Sequence, residues 1–297
     1  MLVRDDGSSD ETLQILNSYR KKDSRIKIIN DSEPPTGSAE KNFAILVKKG
    51  LKTSCSYFFF ADQDDIWKLD KIEKQWSLMT SENKDKPILI HHDLIVLSHK
   101  NKNASSFFKF MGLSPKNANF LSLLGRNEIT GCSISCNRAT LVYAHPFPSK
   151  IIMHDWWLAL VSSAYGKIIT LEEPLAEYRQ HESNNIGAKS IWHAFNPFTN
   201  WIKGWERGNV DFFQTMIQAE CFLKKNEINK RTYQLKTDDL ESLKQYVNIL
   251  KNKRLQRILT VKNYGLVKNH WLLALIFCVR LLTLNLENFK SYKSKNS

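Results

Sequence analysis

Residues Phe58-Phe59-Phe60-Ala61 form an apolar, strand-favouring run, and the next four positions, Asp62-Gln63-Asp64-Asp65, hold three carboxylates. That order predicts a buried strand delivering acids to its carboxyl end, where ligands of open α/β sheets bind. Trp67 then opens a helical spacing through Leu69, Ile72 and Trp76. Asp62 and Asp64 flank a single residue, so two readings stand. One is an acidic loop capping the next helix. The other is a ligand pair for one hard divalent cation whose remaining positions go to phosphate oxygens and water. The wholly apolar run before the acids favours the second.

A chain of 297 residues with 42% hydrophobic and 25% charged residues buries a real core, as one domain with an extension or as two. The formal net charge of +13 calls for an anionic partner: nucleic acid, an acidic membrane surface or a phosphorylated substrate. No nucleic-acid recognition motif is present, and the acidic cluster repels phosphate unless a metal intervenes, so nucleic acid is not expected as a partner. The five cysteines, Cys55, Cys132, Cys136, Cys221 and Cys278, are scattered and odd in number. They argue for a reducing, cytoplasmic setting and against a disulfide framework, with Cys132 and Cys136 as small core residues. The apolar run 271–279 is ended by Arg280 and is too short to span a bilayer, which leaves a peripheral contact with the membrane surface.

Leu2-Val3 reads as the tail of a strand and Asp5-Asp6-Gly7-Ser8-Ser9-Asp10 as a turn, with Ser8 and Glu11 spaced as a capping box. A helix through Leu13, Leu16 and Tyr19 follows, then a short strand at 26–29. After the Pro34-Pro35-Thr36-Gly37-Ser38 loop, 39–47 is helical with Phe43, Leu46 and Val47 on its apolar side. Beyond the acids, Ile88-Leu89-Ile90 and Leu94-Ile95-Val96-Leu97 flank His91-His92-Asp93 in strand pattern. Neighbouring His91 and His92 point to opposite faces and do not share a metal. Residues 98–119 read as a polar loop with a short helix at 107–111, part of a pocket or a lid. The alternating stretch 129–138 contains Gly131, which permits close backbone approach to a ligand. Met153-His154-Asp155-Trp156-Trp157 heads an apolar helix, placing an acid at a helix N-terminus beside a stacking surface. From the residues alone Asp155 is either a helix cap or a base.

The Asp5-Asp6-Gly7-Ser8-Ser9-Asp10 turn followed by Asp62-Gln63-Asp64-Asp65 resembles family 2 glycosyltransferases of the GT-A fold. The resemblance implies an α/β, Rossmann-like mixed sheet flanked by helices, built to bind a nucleoside-diphosphate sugar. Members usually begin one βα unit earlier, so the expected layout is a GT-A domain over 1–186 lacking that unit, with a catalytically silent remnant acting only in docking as the alternative. By the same resemblance Asp5 and Asp6 face the nucleotide, and Lys41 faces the sugar nucleotide. Asp62 and Asp64 hold Mg2+ or Mn2+, with Asp62 also on the ribose side. Gly131 lies on the acceptor side and Asp155 is the base; beside it, Trp156 and Trp157 offer a stacking surface for the acceptor sugar, with one of the two expected in the core. Tyr178-Arg179-Gln180-His181 resembles the closing segment, which puts Arg179 on the diphosphate and His181 at the metal. The wording Asp-Gln-Asp-Asp-Ile-Trp with His-Asp-Trp-Trp-Leu-Ala-Leu is similar to members that transfer rhamnose in bacterial surface-polysaccharide assembly. It implies an inverting transfer, with dTDP-L-rhamnose as the leading donor and a glycan or lipid-linked acceptor.

From 187 to 297 the character changes to a basic, aromatic-rich helical region. Trp192, Phe195, Phe198, Trp201 and Trp205, broken by Pro197 and Gly204, predict short amphipathic pieces. Phe213, Met216 and Ile217, then Leu240, Leu243, Val247 and Leu250, predict clean helices, with a last one near 271–286. The basic faces beside tryptophans suit a peripheral contact on the cytoplasmic side of the inner membrane.

Overall fold

Two long strands rich in Ile, Leu and Val pair in parallel at the centre of the molecule: β5 (Ile88–Ser98) and β8 (Lys167–Arg179), with Ile88 opposite Lys167 and Leu97 opposite Arg179. The register slips twice around Asp93, which lets β8 carry Pro174 without losing the pairing on either side. The computed structural model describes residues 1–29, 33–98, 101–113, 118–179, 201–229, 232–263 and 271–295. Around the central pair, β3 (Tyr57–Phe59), β7 (Ser135–Asn137) and β4 (Ile66–Trp67) complete the order β3-β7-β5-β8-β4, and β6 (Asn101–Ser106) pairs with β5 as a hairpin. Only β5 with β8 is parallel in this sheet, which makes it mixed, and helices flank it as the GT-A resemblance implies. A separate parallel pair joins β1 (Leu2–Val3) to β2 (Lys27–Ile28).

The acids follow a strand, as expected, but β3 is a half-buried strand at one end of the sheet. Trp67 is not helical. Ile66 and Trp67 pair antiparallel with Glu177 and Ala176, and the helix α3 starts only at Lys71 and ends at Thr80. Its buried face is Lys71, Gln75 and Met79, while Leu69, Ile72 and Trp76 are exposed. The reason is hydrogen bonding: Lys71 Nζ donates to the Cys132 carbonyl at 2.7 Å and Gln75 Nε2 to the Ser133 carbonyl at 3.0 Å. Those buried carbonyls need donors more than the sheet needs another Ile.

Helix α1 (Thr12–Lys22) buries none of its residues, and Ser8 with Glu11 makes no capping box. The Ser8 hydroxyl instead donates to Asp5 Oδ1 at 2.5 Å. Helix α2 (Ala39–Gly50) is capped by Ser38 and buries Val47, as the pattern predicts. Helix α4 (Phe107–Met111) occupies the predicted residues, but β6 precedes it where a loop is expected. Asp93 joins the two, accepting from the Ser106 hydroxyl and from the Phe108 backbone N–H at 3.0 Å. Next come α5 (Phe120–Gly125), a 3-10 turn (Gly131–Ser133), α6 (Arg138–Ala144) and α7 (His154–Tyr165). Cys132 and Cys136 are fully buried, in line with the core reading.

The expected short pieces after Gly187 give way to one 28-residue helix, α8 (Trp201–Ile228), which runs through Gly204. Trp192, Phe195, Pro197 and Phe198 lie outside the described residues. A side chain on Gly208 would meet Arg280 at 2.1 Å, so a bare backbone there seats the guanidinium that bonds Asn209 and lies over Trp205. Helices α9 (Thr237–Val247), α10 (Arg254–Asn263), α11 (Trp271–Thr283) and α12 (Leu286–Lys295) follow. One hydrophobic cluster runs from Leu89 and Trp157 through Phe222 to Leu243 and Phe277. Gln218 and Lys225 of α8 also hydrogen-bond the backbone of Ile152 and His145, bracing the segment that leads into α7.

Candidate active site

The acidic loop folds on itself. Gln63 and Asp64 form a turn, which brings Asp65 back beside Asp62. Ligand atoms of Asp62, Asp65 and Cys132 lie within 4.8 Å of one another. Asp64, expected to share a cation with Asp62, faces the same cleft but is not in that group. Burial, reinforced by Asp65 and Asp64, pushes the Asp62 carboxyl up to about 6, against the pull of Lys71. Burial raises Asp65 too, and both of its carboxylate oxygens are buried without a hydrogen-bond partner of good geometry. Lys71 is the counter-charge behind the loop. It is fully buried, its Nζ lies 3.9 Å from the Trp67 ring centre, and burial pushes its ammonium down to about 8. The Cys132 thiol is raised well above its ordinary value by burial and stays protonated.

Asp155 approaches from the other half of the chain, in the first turn of α7. Its Oδ1 accepts from the Trp156 backbone N–H at 2.5 Å and from Asn127 Nδ2 at 3.2 Å, and the Gly131 N–H also supports the carboxylate. Asn127 is itself fixed, because its Oδ1 accepts from the Ile129 N–H at 3.0 Å. Burial pushes the Asp155 carboxyl up to about 7, with the Asp62 charge adding to the rise. A side chain on Gly131 would press on His154 at 3.1 Å and Asp155 at 3.4 Å, so glycine there sets how close the turn and the acid come. His154 is stacked on Phe43 with ring centres 3.8 Å apart and is held neutral by burial.

The acidic loop and Asp155 meet in one cleft of about 430 Å³, lined by Asp62, Gln63 and Asp64 on one side and by Gly131, Asp155 and Trp156 on the other. Residues 1–140 match the family model described as Glycosyl transferase family 2. This stretch belongs to glycosyl transferase family 2. Similar curated proteins are the dTDP-rhamnosyl transferase RfbG of Shigella flexneri, 24% identical over 77% of this chain and 79% of its own, and the putative teichuronic acid biosynthesis glycosyltransferase TuaG of Bacillus subtilis, 28% identical over 78% and 85%. A glucosyltransferase, WfaP of Escherichia coli, is 28% identical over 48% of each chain. Family and relatives make this chain a glycosyltransferase, and its mixed α/β architecture is the GT-A one.

Of the other residues expected to act in a family 2 glycosyltransferase, Trp156 lines the cleft, while Asp5, Asp6, Lys41, Trp157 and Arg179 are not among its lining residues. Lys41 is exposed and does not line the cleft, because Ala39 and Phe43 of the same helix do and Lys41 points away from them. Asp5 accepts from the Gly7 and Ser8 backbone and the Ser8 hydroxyl. Asp6 accepts from Thr36, Gly37 and the guanidinium of buried Arg4, so both acids hold their own loops in shape. Trp157 is fully buried in the core, its Nε1 donating to the Ala144 carbonyl at 3.1 Å, whereas Trp156 faces the cleft and is tied to the Leu123 carbonyl at 2.6 Å. Arg179 ends β8, its backbone N–H beside Asp65. His181 lies outside the described residues. Sequence reasoning missed Asn127, Arg126, Glu128, Tyr178 and Lys71. Of these only Asn127 carried a readable signal, as a turn-forming amide two residues before an apolar run.

Proposed function

We propose that the chain moves a sugar from a metal-bound nucleoside-diphosphate sugar to a hydroxyl of a glycan or lipid-linked acceptor, with inversion, in bacterial surface-polysaccharide synthesis. The observation that carries this reading is the single cleft in which the 62–65 loop faces Asp155 and Trp156. Asp155 takes the proton from the acceptor hydroxyl. A carboxyl held near 7 is well matched to that task at neutral pH, ionised often enough to act and basic enough to attract the proton. Asn127 and the Gly131 N–H keep the carboxylate aimed while its partner changes. Trp156 supplies an aromatic wall for the acceptor ring.

The acidic loop fits a hard cation. Asp65 offers two buried oxygens, neither held by a hydrogen bond of good geometry, beside Asp62, and the protonated Cys132 thiol is a poor ligand, so carboxylate oxygens set the preference for Mg2+ or Mn2+ over softer metals. Asp62 and Asp65 would hold the ion, with Asp64 on the cleft side. Bound there, it would neutralise charge on the departing diphosphate. Arg179, next in line from β8, would add to that neutralisation. The rhamnosyl-transferase relative makes dTDP-L-rhamnose the first donor to test. The decisive experiment is calorimetric titration with dTDP and with UDP, each with and without Mn2+, for the parent and for Asp62→Asn and Asp64→Asn. Metal-dependent binding lost on Asp62→Asn is the expected result. No binding of either nucleotide to the parent protein would overturn the reading.

A further inference from the structure

Between Ser242 and Leu286 the chain carries eight Lys and Arg residues and not one Asp or Glu. The helix α10 lies inside that stretch, and its outward side is not polar. Leu255 is 77% and Leu259 57% exposed, one turn apart, and Lys262 completes the same face at the next turn while exposed Arg254 borders it.

The leucines cannot rotate inward. On the opposite side Arg257 is buried, and its guanidinium donates to the carbonyls of Leu281 at 2.8 Å, Leu284 at 2.5 Å and Leu250 at 3.0 Å, pinning α10 against the end of α11. The adjoining α11 shows a second exposed aliphatic pair one turn apart, Leu275 at 54% and Val279 at 41%. A pinned helix that holds leucines in water beside exposed cations is the composition of an interfacial anchor. No described helix is long and apolar enough to cross a membrane, so the contact is adsorption to a surface.

We infer that the outward face of α10, with Leu255 and Leu259 flanked by Arg254 and Lys262, docks the protein on an anionic lipid bilayer. Bare phosphate recognition, as in nucleic-acid binding, uses the cations but has no use for the leucines, and a neutral bilayer has no use for the cations. The placement also connects to the cleft. Helix α9, which leads into α10, packs on α5, and α5 holds the Trp156 indole through the Leu123 carbonyl. This surface stands whether or not the glycosyl-transfer reading does, because its assay needs no turnover.

The test is co-sedimentation of the full chain with vesicles of phosphatidylcholine, with and without phosphatidylglycerol. The expected result is binding that requires phosphatidylglycerol and weakens with salt. Each of Arg254→Gln and Lys262→Gln should weaken it about fivefold. The double variant Leu255→Ser/Leu259→Ser should weaken it about tenfold, with nucleotide binding unchanged. These positions are exposed, so the variants keep the fold. Equal binding to pure phosphatidylcholine would overturn the proposal, as would a leucine double variant that binds like the parent. A double-stranded DNA oligonucleotide that displaces the vesicles, and whose own binding ignores the leucines, would overturn it in favour of a nucleic-acid face.

Discussion

Asp155 sits in conflict with its surroundings, and replacing it separates function from stability. Its ordinary pKa is 3.8, and burial pushes it up to about 7 in the folded chain. An acid whose folded value is raised holds its proton more tightly in the native state. Its ionisation therefore destabilises the fold, and the cost grows as pH rises from about 4 to about 7 and is constant above. Between those values the gap amounts to about 4 kcal/mol at full ionisation and about 2 kcal/mol at pH 5.5. Asp155→Asn removes the charge and keeps an oxygen to accept from the Trp156 N–H and Asn127. The variant should therefore gain up to about 4 kcal/mol over the parent at pH 8.5 and about 2 kcal/mol less than that at pH 5.5. Urea unfolding followed by tryptophan fluorescence at the two pH values measures both gains. Transfer to acceptor should be abolished, with metal-dependent nucleotide binding within a few-fold of the parent. A variant no more stable than the parent at either pH would refute the burial argument, and one that turns over at the parental rate would remove Asp155 from the role of base.

Other consequences follow from single contacts. Asn127→Ala deletes a hydrogen bond to a carboxylate, so kcat should fall about tenfold to a hundredfold with donor affinity unchanged. The acid limb of its pH–rate profile should move upward, because Asn127 favours the ionised form; an unmoved profile would show that the amide does not position the base. Arg257→Met leaves the carbonyls of Leu250, Leu281 and Leu284 without their donor and should cost about 3 kcal/mol in chemical denaturation. Gly166→Ala would set a side chain 1.8 Å from the Pro87 carbonyl oxygen, backbone that cannot move aside. That variant should be found in the insoluble fraction on expression, and a soluble protein with parental melting behaviour would contradict the clash.

Periodicity and composition located much of this molecule because those parts answer to local physics. Helices α2 and α4 and strand β5 lie where the apolar spacing puts them. Asp155 was legible as an acid heading an apolar helix. The errors share a different cause. At α3 the apolar spacing through Ile72 and Trp76 pointed to the wrong face, because the helix is oriented by Lys71 and Gln75 reaching carbonyls some sixty residues away in sequence. At Lys41 the helix was right and its phase relative to the cleft was not. At 62–65 the spacing pointed to Asp62 and Asp64, both of which line the cleft, and did not show that the turn sets Asp65 beside Asp62. Each case turns on a contact between distant segments, which no local pattern encodes.

One of those contacts also bears on how the cleft works. Lys71 and Gln75 grip the 131–133 turn from the helix that follows the acidic loop and β4, and the same turn offers its Gly131 N–H to Asp155. The acids and the base, at least ninety residues apart in sequence, are thus joined through one buried turn with few ways to shift. A displacement of the loop on filling its carboxylates has a short, hydrogen-bonded route to the base. Lys71→Met keeps the volume of the side chain while cutting that route, and it should lower kcat at saturating donor more than it lowers nucleotide affinity. Calorimetry and initial rates on the same preparation decide it: a loss confined to nucleotide binding would mean that Lys71 serves the acidic loop alone.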